Sequence, residues 1–117
     1  MTHDLVAETI TITGHGGDEI EAYRATSTDA TGVGSIVVIH HMPGYDEATK
    51  EITRRFAANG YAAVMPNLYH REAPGAESDD AAATARASGG VPDERLVGDV
   101  KGAMDHLKAL AITNGRA

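Results

Sequence analysis

The residues able to do chemistry gather at two places: His40-His41 after one apolar run, and Tyr69-His70-Arg71 after another. Adjacent residues in extended chain point to opposite faces, so His40 and His41 do not converge on one metal ion. No carboxylate or cysteine stands at supporting spacing either. His41 ends an apolar strand, where ligands bind in parallel sheets. It either hydrogen-bonds a substrate or nucleophile, or is satisfied by loop carbonyls; His40 reads as structural. Tyr69 and Arg71 follow the next apolar strand. An arginine there holds a substrate carboxylate bidentately, or faces solvent while the tyrosine packs over the loop. His70 and Arg86 carry the same two readings.

Other candidates resolve to plainer roles. Ser88, in Ala87-Ser88-Gly89-Gly90, has the small neighbours of a nucleophile elbow. An Ala-rich helical segment rather than a strand precedes it, and Arg86 stands where glycine is required, so it reads as a loop serine. Glu77, Asp79 and Asp80 suit a short helix N-terminus. Gly14–Gly17 lacks the strand-to-helix context of a phosphate loop. His3, His15 and His106 have no companions.

The elements that position these residues are legible from periodicity. Val6–Thr13 alternates apolar and polar positions, Gly14–Asp18 is a turn, and Ile20–Arg24 alternates again, which predicts an antiparallel hairpin. Thr26–Gly34 reads as a loop. Ser35–His40 holds four consecutive β-branched apolar residues, the pattern of a strand buried on both faces of a parallel sheet. Pro43 and Gly44 then break regular structure, and Asp46 is placed to cap a helix whose face carries Ala48, Ile52, Phe56 and Ala57. Asn59-Gly60 stops that helix and Tyr61–Met65 forms a second strand closed by Pro66. Strand, helix and strand within about thirty residues make a parallel βαβ unit. Ser78–Ala87 predicts a short helix. Leu96, Val97, Val100, Ala103, Met104, Leu107 and Leu110 predict a longer one, ended by Asn114-Gly115.

Length and charge narrow the class. The 117 residues suit one domain. Lys and Arg number 10 against 17 Asp and Glu, a net charge of −7, which disfavours a phosphate-tracking nucleic-acid surface and an anionic membrane. No apolar run approaches the ~20 residues of a membrane span. Met1–Leu5 shows no basic-then-apolar leader, and cysteine is absent. The expectation is a cytoplasmic protein with no disulfide, no thiolate metal site and no metal or organic cofactor. The architecture, β-β-β-α-β-α(-α), stops short. The last helix needs a sheet to bury its stripe, yet too few residues follow it for a strand, and the Ile36–Ile39 strand has only Ala62–Met65 as partner. The expectation is the front portion of a larger α/β domain.

Three tracts also resemble the dienelactone hydrolase family of α/β-hydrolases. They are Ile36-Val37-Val38-Ile39-His40-His41-Met42-Pro43-Gly44, then Arg54 through Tyr69, then Arg71-Glu72-Ala73-Pro74-Gly75; Val97-Gly98-Asp99-Val100 and Thr113-Asn114-Gly115-Arg116 match a later segment. The resemblance implies that residues 1–117 are the N-terminal portion of a single α/β-hydrolase domain. Its sheet would open with the antiparallel hairpin and continue through the βαβ unit to the C-terminal helix. In the family a further strand leads to a Gly-x-Cys-x-Gly-Gly elbow, with an Asp and a His farther on, and none of the three is in this chain. The resemblance further implies ester or lactone hydrolysis, with the Met42 backbone N–H as one oxyanion donor and His41, Tyr69 and Arg71 against a small-molecule substrate. Two departures stand out. His41 replaces the glutamate that holds the family's resting nucleophile, which points to a divergent, esterase-like member. Asn67 replaces the Asp of the family's Pro-Asp-Leu-Tyr tract and changes a local hydrogen bond. On this reading the chain alone is inactive and pairs with a C-terminal segment. The rivals are a non-catalytic α/β module that pairs with its own copy through the exposed strand edge, and half of a split hydrolase.

Overall fold

The computed structural model describes residues 5–28, 31–40, 45–70, 83–84, 87, 92–110 and 112–113. Alternating Thr and Ile residues make β1 (Leu5–Thr13), which pairs antiparallel with β2 (Glu19–Ser27) in unbroken register from Leu5↔Ser27 to Thr13↔Glu19. The turn between them closes through a Gly14 N–H to Asp18 carbonyl bond of 2.7 Å. Gly16 and Gly17 sit there at φ 67° and 83°, a region open to glycine at no steric cost. The hairpin is the expected one, with β2 running through Thr26 and Ser27, two residues into the anticipated loop.

The expected βαβ unit is present as β3 (Ser35–Val37), α1 (Glu47–Ala58) and β4 (Ala62–Pro66), with β3 and β4 parallel from Ser35↔Ala62 to Val37↔Val64. The sheet order is β1-β2-β4-β3, and β2 pairs antiparallel with β4 from Ala22↔Pro66 to Ala25↔Ala63. β4 therefore has a neighbour on each side and is buried throughout. β3 is shorter and wetter than its sequence implies. It lies at an edge of the sheet with all three residues half-buried, and Ile39 beyond it is 59% exposed.

The helices cover opposite faces. On one, Ile12, Ile20, Ala22, Ala62 and Val64 meet Ala103 and Leu107 of α2 (Asp93–Ala109). On the other, Tyr23, Val38, Tyr45 and Met65 form a second cluster with Ile36 and Phe56. The period-two alternation along β2 and β4 sends neighbouring residues to different clusters.

Both helices bury a smaller stripe than hydrophobicity alone selects. In α1 the buried residues are Thr49, Thr53 and Ala57, while Ala48 is exposed and Ile52 is 45% exposed. Thr49 completes a capping box with Asp46, and the Thr53 hydroxyl donates to the Thr49 carbonyl at 2.9 Å, so both hydroxyls go under the helix satisfied. In α2 the inner residues are Asp99, Ala103 and Leu107, and Val97 is 68% exposed. Gly98 and Gly102 let this helix press against the hairpin turn, and the fully buried Asp99 accepts the His15 N–H at 2.9 Å.

α2 ends at Ala109, short of the expected Asn114-Gly115 stop, with Leu110 as C-cap. The Thr113 hydroxyl donates to the carbonyls of Leu107 (2.8 Å) and Leu110 (3.0 Å). The chain then returns to the β3 side of the sheet. Val33 donates to the Ile112 carbonyl at 3.0 Å, and Val33 and Thr113 form a parallel bridge. This is a single bridge outside the named strands, and no strand follows α2 among the described residues. Most of the Ala-rich helix expected over 78–87 lies outside the described residues. No helix among them is long and apolar enough to cross a membrane.

One pH response follows from the packing of α2 on the hairpin. Arg24 donates from Nη1 to His106 Nε2 at 3.1 Å and pairs through Nη2 with Glu8. A guanidinium has no acceptor, so Nε2 is unprotonated in this contact. Burial, then the Arg24 charge, hold His106 below its ordinary 6.5. The unfolded chain therefore binds this proton more readily, and stability falls as pH drops through about 6.5, levelling below the folded-state value. The urea midpoint should decrease between about pH 7.5 and 5.5, and His106→Gln, which retains an acceptor, should remove part of that decrease. An unchanged wild-type midpoint across this window would contradict the assignment.

Candidate active site

The parallel strands β3 and β4 end on the same side of the sheet, and the residues leaving them meet there. His40 is 5% exposed, and its Nε2 accepts the backbone N–H of Leu68 at 2.9 Å. An accepting Nε2 puts the proton of the neutral ring on Nδ1. The imidazole meets two aromatic rings, Tyr69 at 5.0 Å and Tyr45 at 6.1 Å between centroids, both edge-on. The structural reading of His40 thus acquires a specific content: it ties the exit of one parallel strand to the exit of the other.

The segment after β4 is a compact turn. Asn67 donates its N–H to the Glu21 carbonyl at 2.8 Å and accepts the His70 N–H at 3.1 Å through its own carbonyl. Its side-chain Oδ1 accepts the Tyr69 N–H at 3.1 Å, an Asx turn. This is the local bond that the Asp-to-Asn departure touches, and either residue supplies the oxygen. Tyr69 emerges half-buried beside His40. His70 turns the other way and lines a shallow depression of about 360 Å³ on the hairpin with Thr9, Thr11, Glu19 and Glu21. It does not join the His40–Tyr69 group.

Of the site residues read from sequence, Tyr69 is the one placed here. His41, Met42 and Arg71 lie outside the described residues, as do Glu77, Asp79, Asp80, Arg86 and Ser88. Among the described residues no three His, Cys, Asp or Glu side chains gather as a metal cluster. The Thr49 and Thr53 hydroxyls are spent on the cap and first turns of α1, which build the scaffold.

Tyr45 is the residue that sequence reasoning passed over. It is buried, and the Lys50 ammonium lies 4.7 Å from its ring centroid. Burial first, and the Glu21 carboxylate second, push its phenol well above the ordinary range, so it is a neutral wall beside His40. A signal for it exists in the sequence. With Asp46 as cap, Tyr45 and Lys50 occupy the two positions of a hydrophobic staple, here closed by a cation–π contact. Farther along α1, Arg54 donates to the Tyr23 hydroxyl at 2.9 Å and pairs with Glu47 and Glu51, which anchors the helix to β2.

Known proteins are similar to this chain in sequence and in fold. The family model described as Dienelactone hydrolase family matches residues 20–116. A protein of Escherichia coli K12 named "Putative carboxymethylenebutenolidase" is 34% identical over 103 residues, covering 85% of this chain and 36% of that protein. A Synechocystis protein of the same name is 31% identical over 77 residues, 66% of this chain and 31% of its own length. The chain thus spans about a third of the length of these curated relatives. A crystal structure titled as a putative dienelactone hydrolase from Klebsiella pneumoniae superposes with a TM-score of 0.79 at 21% identity, over 96% of this chain and 47% of that one. The likeness in structure gives the α/β-hydrolase fold, and the match from β2 through both helices gives the lineage: this chain belongs to the dienelactone hydrolase family.

Proposed function

We propose that the protein carrying this chain hydrolyses a small ester or lactone by nucleophilic acyl transfer. The observation that supports this most strongly is the family match over residues 20–116, which includes both strand exits tied by the His40–Leu68 bond. In this reading residues 1–117 are the N-terminal portion of one hydrolase domain. They supply the scaffold, one oxyanion donor and substrate contacts. The nucleophile elbow, the acid and the general-base histidine come from polypeptide outside the chain, whose next strand docks beside β3; the Val33–Thr113 bridge supports that placement. A nucleophile from that elbow attacks the carbonyl carbon and places negative charge on its oxygen. The Met42 N–H meets that oxygen as one of two donors. The alcohol departs with a proton, and water then attacks the acyl group to release the acid. His41 and Tyr69 line the substrate, and Arg71 holds a carboxylate on it. A cytoplasmic location belongs to the same proposal, supported by the absence of cysteine.

The test is direct. The 117-residue chain, purified free of other polypeptides and folded by circular dichroism, should hydrolyse p-nitrophenyl acetate no faster than an unfolded chain of equal histidine content. Saturable turnover far above that control would refute the placement of the nucleophile outside it.

A further inference from the structure

We propose that His40 is a positioning residue for Tyr69, setting how that side chain is offered to the substrate. The inference rests on the ester-hydrolase reading for the substrate and on described residues alone for the geometry. Tyr69 is held through two successive backbone amides. The preceding amide, Leu68 N–H, donates to His40 Nε2 at 2.9 Å, and its own N–H donates to Asn67 Oδ1 at 3.1 Å. Its ring rests edge-on against the imidazole at 5.0 Å, with an interplanar angle of 65°. Tyr45 also meets the His40 ring edge-on at 6.1 Å, and the Lys50 ammonium over the Tyr45 ring fixes that wall. The imidazole is therefore wedged in one orientation, with its acceptor aimed at one amide.

Packing alone does not account for a histidine here. The position follows Ile36-Val37-Val38-Ile39 and is nearly fully buried, where an aliphatic side chain is the ordinary occupant. Burying an imidazole is unfavourable unless its nitrogens are used, and Nε2 is used to fix the residue before Tyr69. An aliphatic replacement leaves a buried amide with no acceptor, since Leu68 is itself buried. The turn would then relax to find one, and Tyr69 would move with it.

The experiment compares His40→Leu with His40→Gln, whose side-chain oxygen reaches about as far as Nε2, in the whole protein. His40→Leu should speed hydrogen exchange of the Leu68 amide at least about tenfold and shift the Tyr69 ring resonances; His40→Gln should restore both. With p-nitrophenyl esters, His40→Leu should raise KM about tenfold at nearly unchanged kcat, and should add no further increase in a Tyr69→Ala background. Unchanged Leu68 protection, Gln behaving as Leu, or independent effects at positions 40 and 69 would each overturn the proposal. If exchange and ring shifts respond as stated while no ester is turned over, the ester-hydrolase reading fails and the His40 lock stands.

Discussion

Placing a single methyl group on α2, by Gly102→Ala, is expected to lower stability by about 1–3 kcal/mol, the cost of overpacking a close contact. Alanine is the better helix former by roughly 1 kcal/mol, so propensity alone gives the opposite sign. Geometry decides between them. A Cβ at Gly102 would run into the Thr13 carbonyl oxygen, with the Thr13 carbonyl carbon at 3.1 Å and the Gly14 Cα at 3.2 Å behind it. All three are backbone atoms of the β1–β2 hairpin, so no side chain swings aside and the helix must lift from the sheet. That lift would pull Ala103 and Leu107 out of the first core cluster and Asp99 away from the His15 N–H. Gly98 is the internal comparison. A Cβ there meets the His15 side chain, its Nδ1 at 2.5 Å and its Cβ at 2.6 Å; the ring can swing aside and the Cβ needs a smaller backbone shift than the Thr13 carbonyl demands. Urea denaturation should rank wild type above Gly98→Ala above Gly102→Ala. A Gly102→Ala protein as stable as wild type would mean that α2 does not seat on the hairpin in this way.

The glycine contact also shows where sequence reading gives out. Period-two alternation announced the hairpin, and Asp46 announced the start of α1, because both signals are local. The parallel β3–β4 pair followed from a strand, a helix and a strand in succession. The insertion of β4 between β2 and β3 was not legible, since periodicity tells which face a residue takes and is silent on which strand lies alongside. The buried faces of the helices misled for a related reason. Ile52 and Val97 are more apolar than Thr49 or Gly98, but close approach to the sheet selects small residues with satisfied hydroxyls and turns the larger ones outward. At the candidate site the structural reading of His40 agrees with its burial, while His41 lies outside the described residues. The partner of His40, a backbone amide 28 positions away, was not legible.

The second large effect concerns Met42. Replacing it with proline deletes the backbone N–H that this chain contributes to the proposed pair of oxyanion donors, while Met42→Leu keeps it. Loss of an oxyanion donor costs about 10²–10³ in kcat, because it stabilises charge that exists only in the transition state. KM should change little, since the ground-state carbonyl gains far less from the donor than the oxyanion does. The position is followed by Pro43, and proline already sits in this segment, so the substitution falls where regular structure is broken by sequence. Equal thermal midpoints for the two variants would show that the fold has been kept.

The claim underlying the whole account is that the carboxyl end of β3 and β4 polarises an ester carbonyl. The measurement that meets it most directly is kcat for p-nitrophenyl acetate in the protein carrying the chain together with its elbow segment, for wild type, Met42→Leu and Met42→Pro. The account predicts that leucine stays within about threefold of wild type and that proline loses roughly 10²–10³ at similar KM. Full turnover in the proline variant, or no ester hydrolysis in the wild-type protein, would contradict it.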